Sequence, residues 1–552
     1  MNYAGLLNNT PQTRPLVNHP EMVKNNAGGY GFQITPQQQL ERFLLIGSEG
    51  GTFYTGEQKL TEDNARSIIQ YIKTNGMSVV KTVLDFNFQN RAPKMDTLLF
   101  VLALCCTHGD QETKQYSYNS VITCCKTATH LFTFVSQVNQ MRGWSAGLRR
   151  AVANWYTQKD DNKLAYQLVK YRNRSGFTHK DVLRLAHPKA LTTSQNTLFQ
   201  YAVGKHSFGV QSIFISKGAD INVNSVEGAL NLIQSHDTPQ FVQSELPMII
   251  QAFETAMVTA DKNELVQLIK DHNLTWEMIP TKFLNDTTVL TALLEKMPTN
   301  AMIRNLNRFA KAGMTTGLSE TTKTIVSKLT KEAIEKSGIH PVNLVNSMKT
   351  YASGRGDKSD NTWPVNQNIV DALNEAYEYA LKNVTPTGKS ILVALDVSGS
   401  MNSPVSKTNM SATQLGAVLA VTMAKTETNV EIIGFDTAIR AISLGRRTTI
   451  ESACQAVTHG GGTDCAQVFA HALATKNKYD AIVILTDNET WAGPRHGVTL
   501  LDQYRNTINK DVKVMEIAMV SNPHSTLPND PNVLRAVGFD GSLVQVLNEF
   551  IK

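Results

Sequence analysis

The apolar positions divide the chain into two regimes. From Thr35 onward they recur at helical spacing: Leu40, Phe43 and Leu44 form one face, Ile68, Ile69 and Ile72 another, and Val79, Val80, Val83 and Leu84 continue the series. Further helices are predicted over 94–107, 116–137, 144–156, 160–174, 179–187, 193–203, 240–258, 262–270, 298–311, 319–336 and 365–383. No strand alternation interrupts them, so residues 36–386 read as all-α. Helix pairs of this length suit either a degenerate helical-repeat array of the HEAT type or one irregular bundle. After Thr387 the period changes. Apolar strands at 391–395, 430–435, 481–486 and 513–519 alternate with helical patterns near 411–427, 464–475, 498–508 and 541–551. That alternation predicts an α/β doubly wound, mostly parallel sheet over 387–552. Residues 1–35, rich in Asn, Pro and Gly, read as an irregular N-terminal arm. The stretch Tyr351–Pro364 breaks the helical pattern and reads as a connection between domains; its Arg355-Gly-Asp357 tripeptide is taken as a chance occurrence.

Composition adds location and partner sign. A chain of 552 residues should hold two or three domains. Its longest apolar run, Leu98 to Cys106, is too short to span a bilayer, and the first ten residues lack a secretory pattern. An intracellular, cytoplasmic protein with no membrane association is therefore expected. The six cysteines show no Cys-x-x-Cys spacing and read as buried small hydrophobes. Net charge is +6, unevenly placed: residues 387–552 carry 14 basic against 15 acidic side chains, and residues 1–386 carry 39 against 32. A polyanion should meet the first region.

The β/α region carries a concentrated set of oxygen side chains. The apolar run Ile391–Leu395 ends in Asp396-Val-Ser398-Gly-Ser400, at what should be the carboxyl edge of the sheet, where such sheets bind ligands. Carboxylates and hydroxyls suit a hard cation, Mg²⁺ before Zn²⁺. A turn whose serines cap their own helix is the alternative. Two further stretches supply oxygens: the glycine loop Gly460–Gly462 presents Thr463, and the strand Ile482–Thr486 ends in Asp487. The enzymatic alternatives are poorer: position 398 is not a second acid, and no Gly-x-Ser-x-Gly nucleophile turn or phosphate-binding Gly-Lys loop is present.

The helical region carries a basic stretch. Residues 142–191 hold eleven basic side chains against three aspartates. Lys170 and Arg174, four apart, are predicted on one helical face. Thr178-His-Lys-Asp181 reads as a capping box for a short helix that ends at His187-Pro188. Two neighbouring helices are thus expected to project Lys170, Arg174, Lys180, Arg184 and His187 onto one surface; a solvated charged face is the bland reading, nucleic acid the sharper one. Trp144, Trp155 and Tyr156 are expected in the core.

Several of these stretches resemble the Ro ribonucleoprotein autoantigen family, whose shared helical module is called TROVE. The matching stretches are Arg42–Tyr54 with Glu57–Leu60, Thr129–Phe134, Leu148–Tyr156 and Gly176–His187, then Pro386–Lys389, Asp396–Met401, Gly461–Cys465 and Thr486–Glu489. The resemblance implies a ring of HEAT-like helical repeats closed by a von Willebrand factor A domain. It also implies a metal-ion-dependent adhesion site in which Asp396, Ser398, Ser400, Thr463 and Asp487 surround Mg²⁺, partly through water. Its RNA contacts carry over to Lys170, Arg174 and His187; Arg149, Arg150, Lys180 and Arg184 are added from local charge. Implied partners are small noncoding Y RNAs, single-stranded 3′ ends of misfolded RNAs and an exoribonuclease, with the protein acting as a monomeric ring.

The expected function is non-catalytic RNA binding in RNA quality control. A metal-dependent protein-interaction scaffold working through the A domain is the alternative. A nuclease at Asp396 is a third reading, against which stands the lack of the several acids that two-metal chemistry uses.

Overall fold

The structure is a computed structural model that describes residues 10–46, 62–89, 95–205, 246–356, 361–403, 405, 410–457, 460–519, 524–537 and 541–552. The chain divides into two compact units, and they do not follow chain order. One combines Met1–Val101 with Pro298–Lys552; the other is Leu102–Met297. The motif stretches 47–54 and 57–60 lie outside the described residues, as does Asp357.

In the Leu102–Met297 unit, the helices that carry the basic candidates and those just before them start where a short polar side chain can accept from the first free backbone N–H groups. Asp110 caps Gln111–Cys124, Thr127 caps Ala128–Arg142, Ser145 caps Ala146–Thr157, Asp160 caps Asp161–Lys170, and Thr178 forms the expected capping box with Asp181 on His179–Ala186. These caps explain where the sequence reading ran too long. The predicted helix 116–137 is broken at Cys125–Thr127, where Thr127 begins a new helix. Trp155 and Tyr156 are fully buried as expected, with Trp155 Nε1 donating to Cys125 O at 2.5 Å. Trp144 is only half-buried and meets Phe177 edge-on at 6.4 Å. All six cysteines are buried and unbridged; burial pushes the Cys124 thiol up to about 12.

The other unit holds helices from both ends of the helical region and the β/α fold. Six strands, β5 (Ser390–Asp396), β6 (Asn429–Phe435), β7 (Ile439–Arg440), β8 (Ala481–Thr486), β9 (Lys513–Ala518) and β11 (Val533–Val537), form one sheet in the order β11-β9-β8-β5-β6-β7. All pairings are parallel except the β6–β7 edge. The doubly wound prediction holds, and β7 and β11 are additions too short or too mixed to stand out by pattern. Strand β5 is buried on both faces: Ile391, Val393 and Leu395 pack with Ala417, Val421 and Leu547, while Leu392 and Ala394 pack with Phe469 and Leu501. The chain leaves β5 toward β6 on one side and leaves β8 toward β9 on the other. Their carboxyl ends therefore open a crevice, the topological switch point of such sheets.

One expectation is corrected by the structure. Part of the supposedly irregular arm forms β1 (Met22–Lys24) and β2 (Tyr30–Gln33), which pair with each other and, through β2, with β10 (His524–Ser525). Composition concealed these strands because β2 takes its second partner nearly 500 positions away in the sequence, at His524 and Ser525. The connection expected at Tyr351–Pro364 is tied down by hydrogen bonds: Trp363 Nε1 donates to Tyr351 O at 3.0 Å, and Asn366 Nδ2 to Thr315 O at 2.5 Å. Both flanking helices, Pro341–Ala352 and Gln367–Ala380, belong to the same unit as the sheet.

Candidate metal centre and nucleic-acid interface

The oxygen side chains singled out after β5 and β8 meet at the crevice. Asp396, at the end of β5, is fully buried; its Oδ2 accepts from Thr486 Oγ1 at 2.6 Å and its Oδ1 from Ser398 N at 2.9 Å. Ser398 Oγ lies 3.3 Å from Ser400 Oγ, and the Ser400 hydroxyl bonds the Asp487 carboxylate. The glycine loop closes over this turn, with Gly399 N donating to Gly461 O at 3.3 Å and Gly460 N to Val397 O at 3.1 Å. Thr463 follows in that loop, buried, its carbonyl accepting from Trp491 N and Ala492 N. The serine-cap alternative is not what forms. Neither Ser398 nor Ser400 caps the long helix Ala412–Thr426; Ser411 does, in a capping box with Gln414.

Two buried carboxylates side by side are costly to ionise. Burial raises the Asp396 carboxyl first, and the Asp487 charge raises it further; burial likewise raises Asp487. Two hydroxyls within reach and a third on the adjoining loop make this donor set fit a hard divalent cation, whose charge would relieve the repulsion.

Sequence reasoning missed a layer of acids around this edge. Asp464 Oδ1 accepts from Gln12 Nε2 at 2.6 Å, and Gln12 Oε1 accepts from Thr490 Oγ1 at 2.6 Å. Glu489 takes Asn26 Nδ2 at 2.8 Å and Ala27 N at 3.2 Å, while Asn25 Nδ2 donates to Thr490 O at 2.8 Å. Gly29 permits this approach: a Cβ there would sit 2.1 Å from Thr490 O. Thus Asp464 and Glu489, quoted above for resemblance, hold the arm. A third acid, Asp436, is pulled below its usual range against the burden of burial, chiefly by the Arg440 guanidinium, whose Nε is 2.8 Å away.

The basic candidates lie on four elements of the other unit. Arg149 and Arg150 are exposed on Ala146–Thr157, and Lys180 and Arg184 are exposed four apart on His179–Ala186. His187 is the exposed left-handed C-cap of that same helix, at φ 48°. Lys170 is half-buried in the last turn of Asp161–Lys170, its Nζ donating to Tyr166 OH at 2.9 Å. Burial pulls its ammonium down, but the Tyr166 hydrogen bond and nearby groups hold it net above its ordinary value.

The shared helical face predicted for Lys170 and Arg174 does not exist, because the helix stops at Lys170. Arg174 stands exposed on β3 (Asn173–Arg174), paired with β4 (Phe177–Thr178) across a two-residue loop. Ser175 and Gly176 both take positive φ, 52° and 80°, as the tightest hairpin turns require. The Ser-Gly pair was the available signal. His179, by contrast, faces inward. Its Nε2 must donate to Gln167 O at 3.2 Å, so Nδ1 accepts from Tyr156 OH at 2.7 Å; burial lowers it to about 4.

A helical module followed by a von Willebrand-type sheet with an oxygen-lined switch point defines the class, and known proteins agree. Residues 23–350 match the TROVE domain and residues 390–551 the Ro60 vWA domain. The chain belongs to the Ro60 family. It is 32% identical over 582 residues to the RNA-binding protein RO60 of Caenorhabditis elegans, covering 96% of this chain and 90% of that one. It is 31% identical over 556 residues to the protein of the same name from Deinococcus radiodurans, covering 99% and 97%. The crystal structure of the Deinococcus radiodurans RO (RSR) protein superposes with a TM-score of 0.71 at 28% identity, covering 94% of this chain and 99% of that chain. No described helix is long and apolar enough to cross a membrane.

Proposed function

We propose that this chain is a non-catalytic, cytoplasmic RNA-binding protein that holds small structured RNAs of the Y type and the single-stranded ends of misfolded RNAs, in RNA quality control. The observation that carries it is the exposed basic set on Ala146–Thr157, the β3–β4 hairpin and His179–Ala186, in the unit that lacks the acidic sheet edge. The relatives' shared name supports the ligand class. The Y RNA, the exoribonuclease partner and the monomeric ring rest on family resemblance. Phosphate contacts supply most of such affinity, so binding should weaken steeply with salt, and recognition should follow RNA shape and unpaired ends. The test is a gel shift with a small stem-containing RNA and the triple variant Lys170→Gln, Arg174→Gln, His187→Ser. A loss on the order of a hundredfold is expected, at roughly 1 kcal/mol for each of the three lost contacts; unchanged affinity in the folded variant overturns the assignment.

The switch-point crevice supports a second role for the same protein: Asp396, Ser398, Ser400, Thr463 and Asp487 hold Mg²⁺. A bound ion there would supply an electrophilic centre for a carboxylate of a protein partner. The two buried, mutually repelling carboxylates favour this reading.

A further inference from the structure

Beside the basic surface lies a cavity that neither the sequence reading nor the family contacts used. It measures about 340 Å³ and is lined by Lys126, Lys159, Asn162, Lys163, Tyr166 and Gln167. Its size is at the lower end for small-molecule sites, enough for one nucleotide. Three lysines converge from separate places: Lys126 precedes the cap of Ala128–Arg142, Lys159 lies in the turn before Asp161–Lys170, and Lys163 in its first turn. Lys159 is held in place, its Nζ 4.0 Å from the centroid of the buried Trp155 ring. Lys163 pairs with the exposed Asp160 at 3.3 Å, a pairing weak enough to exchange for a phosphate. Gln167 is fixed by accepting from Ala128 N at 2.8 Å, which turns its amide nitrogen into the donor the wall can offer. Tyr166 joins the cavity to the proposed RNA surface, because its hydroxyl is the acceptor for Lys170.

We infer that this cavity takes a single unpaired nucleotide of the bound RNA, with its phosphate among Lys126, Lys159 and Lys163 and its base against the Tyr166 ring. The inference rests on the RNA-binding reading above and names a subsite within it. Phosphate binding alone would ask only for ammonium groups. The aromatic wall and the amide edge of Gln167 are what suit a base.

The test measures affinity of the full chain for a small stem-containing RNA across a salt series. The variants are Lys126→Gln/Lys159→Gln/Lys163→Gln, Tyr166→Leu and Tyr166→Phe. The triple variant is expected to lose about tenfold and to flatten the log–log salt slope by about 1 for each phosphate released. Tyr166→Leu should lose about tenfold, whereas Tyr166→Phe, which keeps the ring and loses only the hydroxyl that accepts from Lys170, should lose clearly less; equal losses in the two would place the effect on Lys170 and count against the stacked base. Because Lys159 rests on the core Trp155, the double variant Lys126→Gln/Lys163→Gln carries the same expectation if the triple variant fails to fold. An RNA ending in a 5′-phosphate and the same RNA with a 5′-hydroxyl separate a terminal from an internal nucleotide; either result supports the pocket. Parent-like affinity and slope in the lysine variants, alongside weakened binding in the Lys170, Arg174 and His187 variant, overturn the pocket and spare the surface. If both sets bind like the parent, the RNA reading of this unit falls with it.

Discussion

Asp396 and Asp487 show how a single pair of side chains sets a dependence on conditions. Both are buried at the switch point, and each raises the cost of ionising the other. If the crevice holds Mg²⁺, the cation stabilises the folded state by an amount that grows with its concentration over its dissociation constant, about 2.7 kcal/mol at a hundredfold excess. Thermal unfolding of the parent should therefore move upward with Mg²⁺ and return on chelation. Asp396→Asn removes one of the two repelling charges, so it should be no less stable without metal while losing the Mg²⁺ response. An equal Mg²⁺ shift in parent and Asp396→Asn would rule out this donor set. RNA affinity should be the same in both, since the proposed RNA contacts lie on other elements. Glu516 offers a second residue-scale case. Buried in β9, it accepts from Ser525 Oγ at 2.9 Å and from Thr526 N and Oγ1, next to the buried guanidinium groups of Arg42 and Arg535. Glu516→Ala removes the carboxylate that supports both guanidinium groups, with Asp530 still near Arg535, and should cost roughly 3 kcal/mol by denaturant unfolding.

Among elements, the helix His179–Ala186 and the hairpin before it carry both the proposed RNA contacts and a pH-sensitive seam. His179 is buried as the neutral imidazole between Tyr156 and Gln167 and is lowered from 6.5 to about 4. The unfolded chain binds a proton there at a higher pH than the native one. Stability is thus complete above pH 6.5 and is lost as pH falls from 6.5 toward 4, by roughly 3 kcal/mol. Chemical denaturation over that range should show the loss in the parent and a flatter profile in His179→Gln; a parent profile flat from pH 7 to 4 would contradict the assignment. The same helix shows what the sequence could and could not reveal. Its capping box and its end before Pro188 were legible because Thr178, Asp181 and Pro188 act locally. The inward turn of His179 was not, since it depends on a cavity built by Tyr156, Phe132 and Gln167 from other helices. Lys170 and Arg174 were misjudged because spacing alone does not say where a helix stops. The helix ends at Lys170 with Tyr171 as its C-cap, and the Ser175-Gly176 turn then puts Arg174 on a hairpin. Asp396 and Asp487 were legible because each ends an apolar run, and such a run fixes which edge of a parallel sheet its last residue occupies.

For the whole molecule, the two ends of the chain are not independent. Gln12, Asn25, Asn26 and Ala27 supply donors to Asp464, Thr490 and Glu489; β2 adds to β10; and Arg42 Nη1 donates to His524 O at 2.9 Å. The arm thus completes the carboxyl edge of the sheet, which a boundary drawn at Thr387 would leave open. Gln12 is nearly inaccessible and serves two buried partners at once. Gln12→Leu should leave the Asp464 carboxylate facing an apolar side chain, a cost of about 1–3 kcal/mol. The isolated segment 387–552 should be less stable than the same segment supplied with residues 10–46, because Asp464, Glu489 and β10 then regain their partners. Urea unfolding of both forms measures the difference, and coincident midpoints would mean that the arm only rests on the sheet. Glu489 N donates to Asp487 Oδ1 at 3.1 Å, while the Glu489 carboxylate holds Asn26 and Ala27. The arm therefore fixes the loop that carries Asp487, and arm-deleted protein should respond more weakly to Mg²⁺ with every proposed ligand still in place. A full Mg²⁺ response without residues 10–34 would show that the loop is set by the sheet alone.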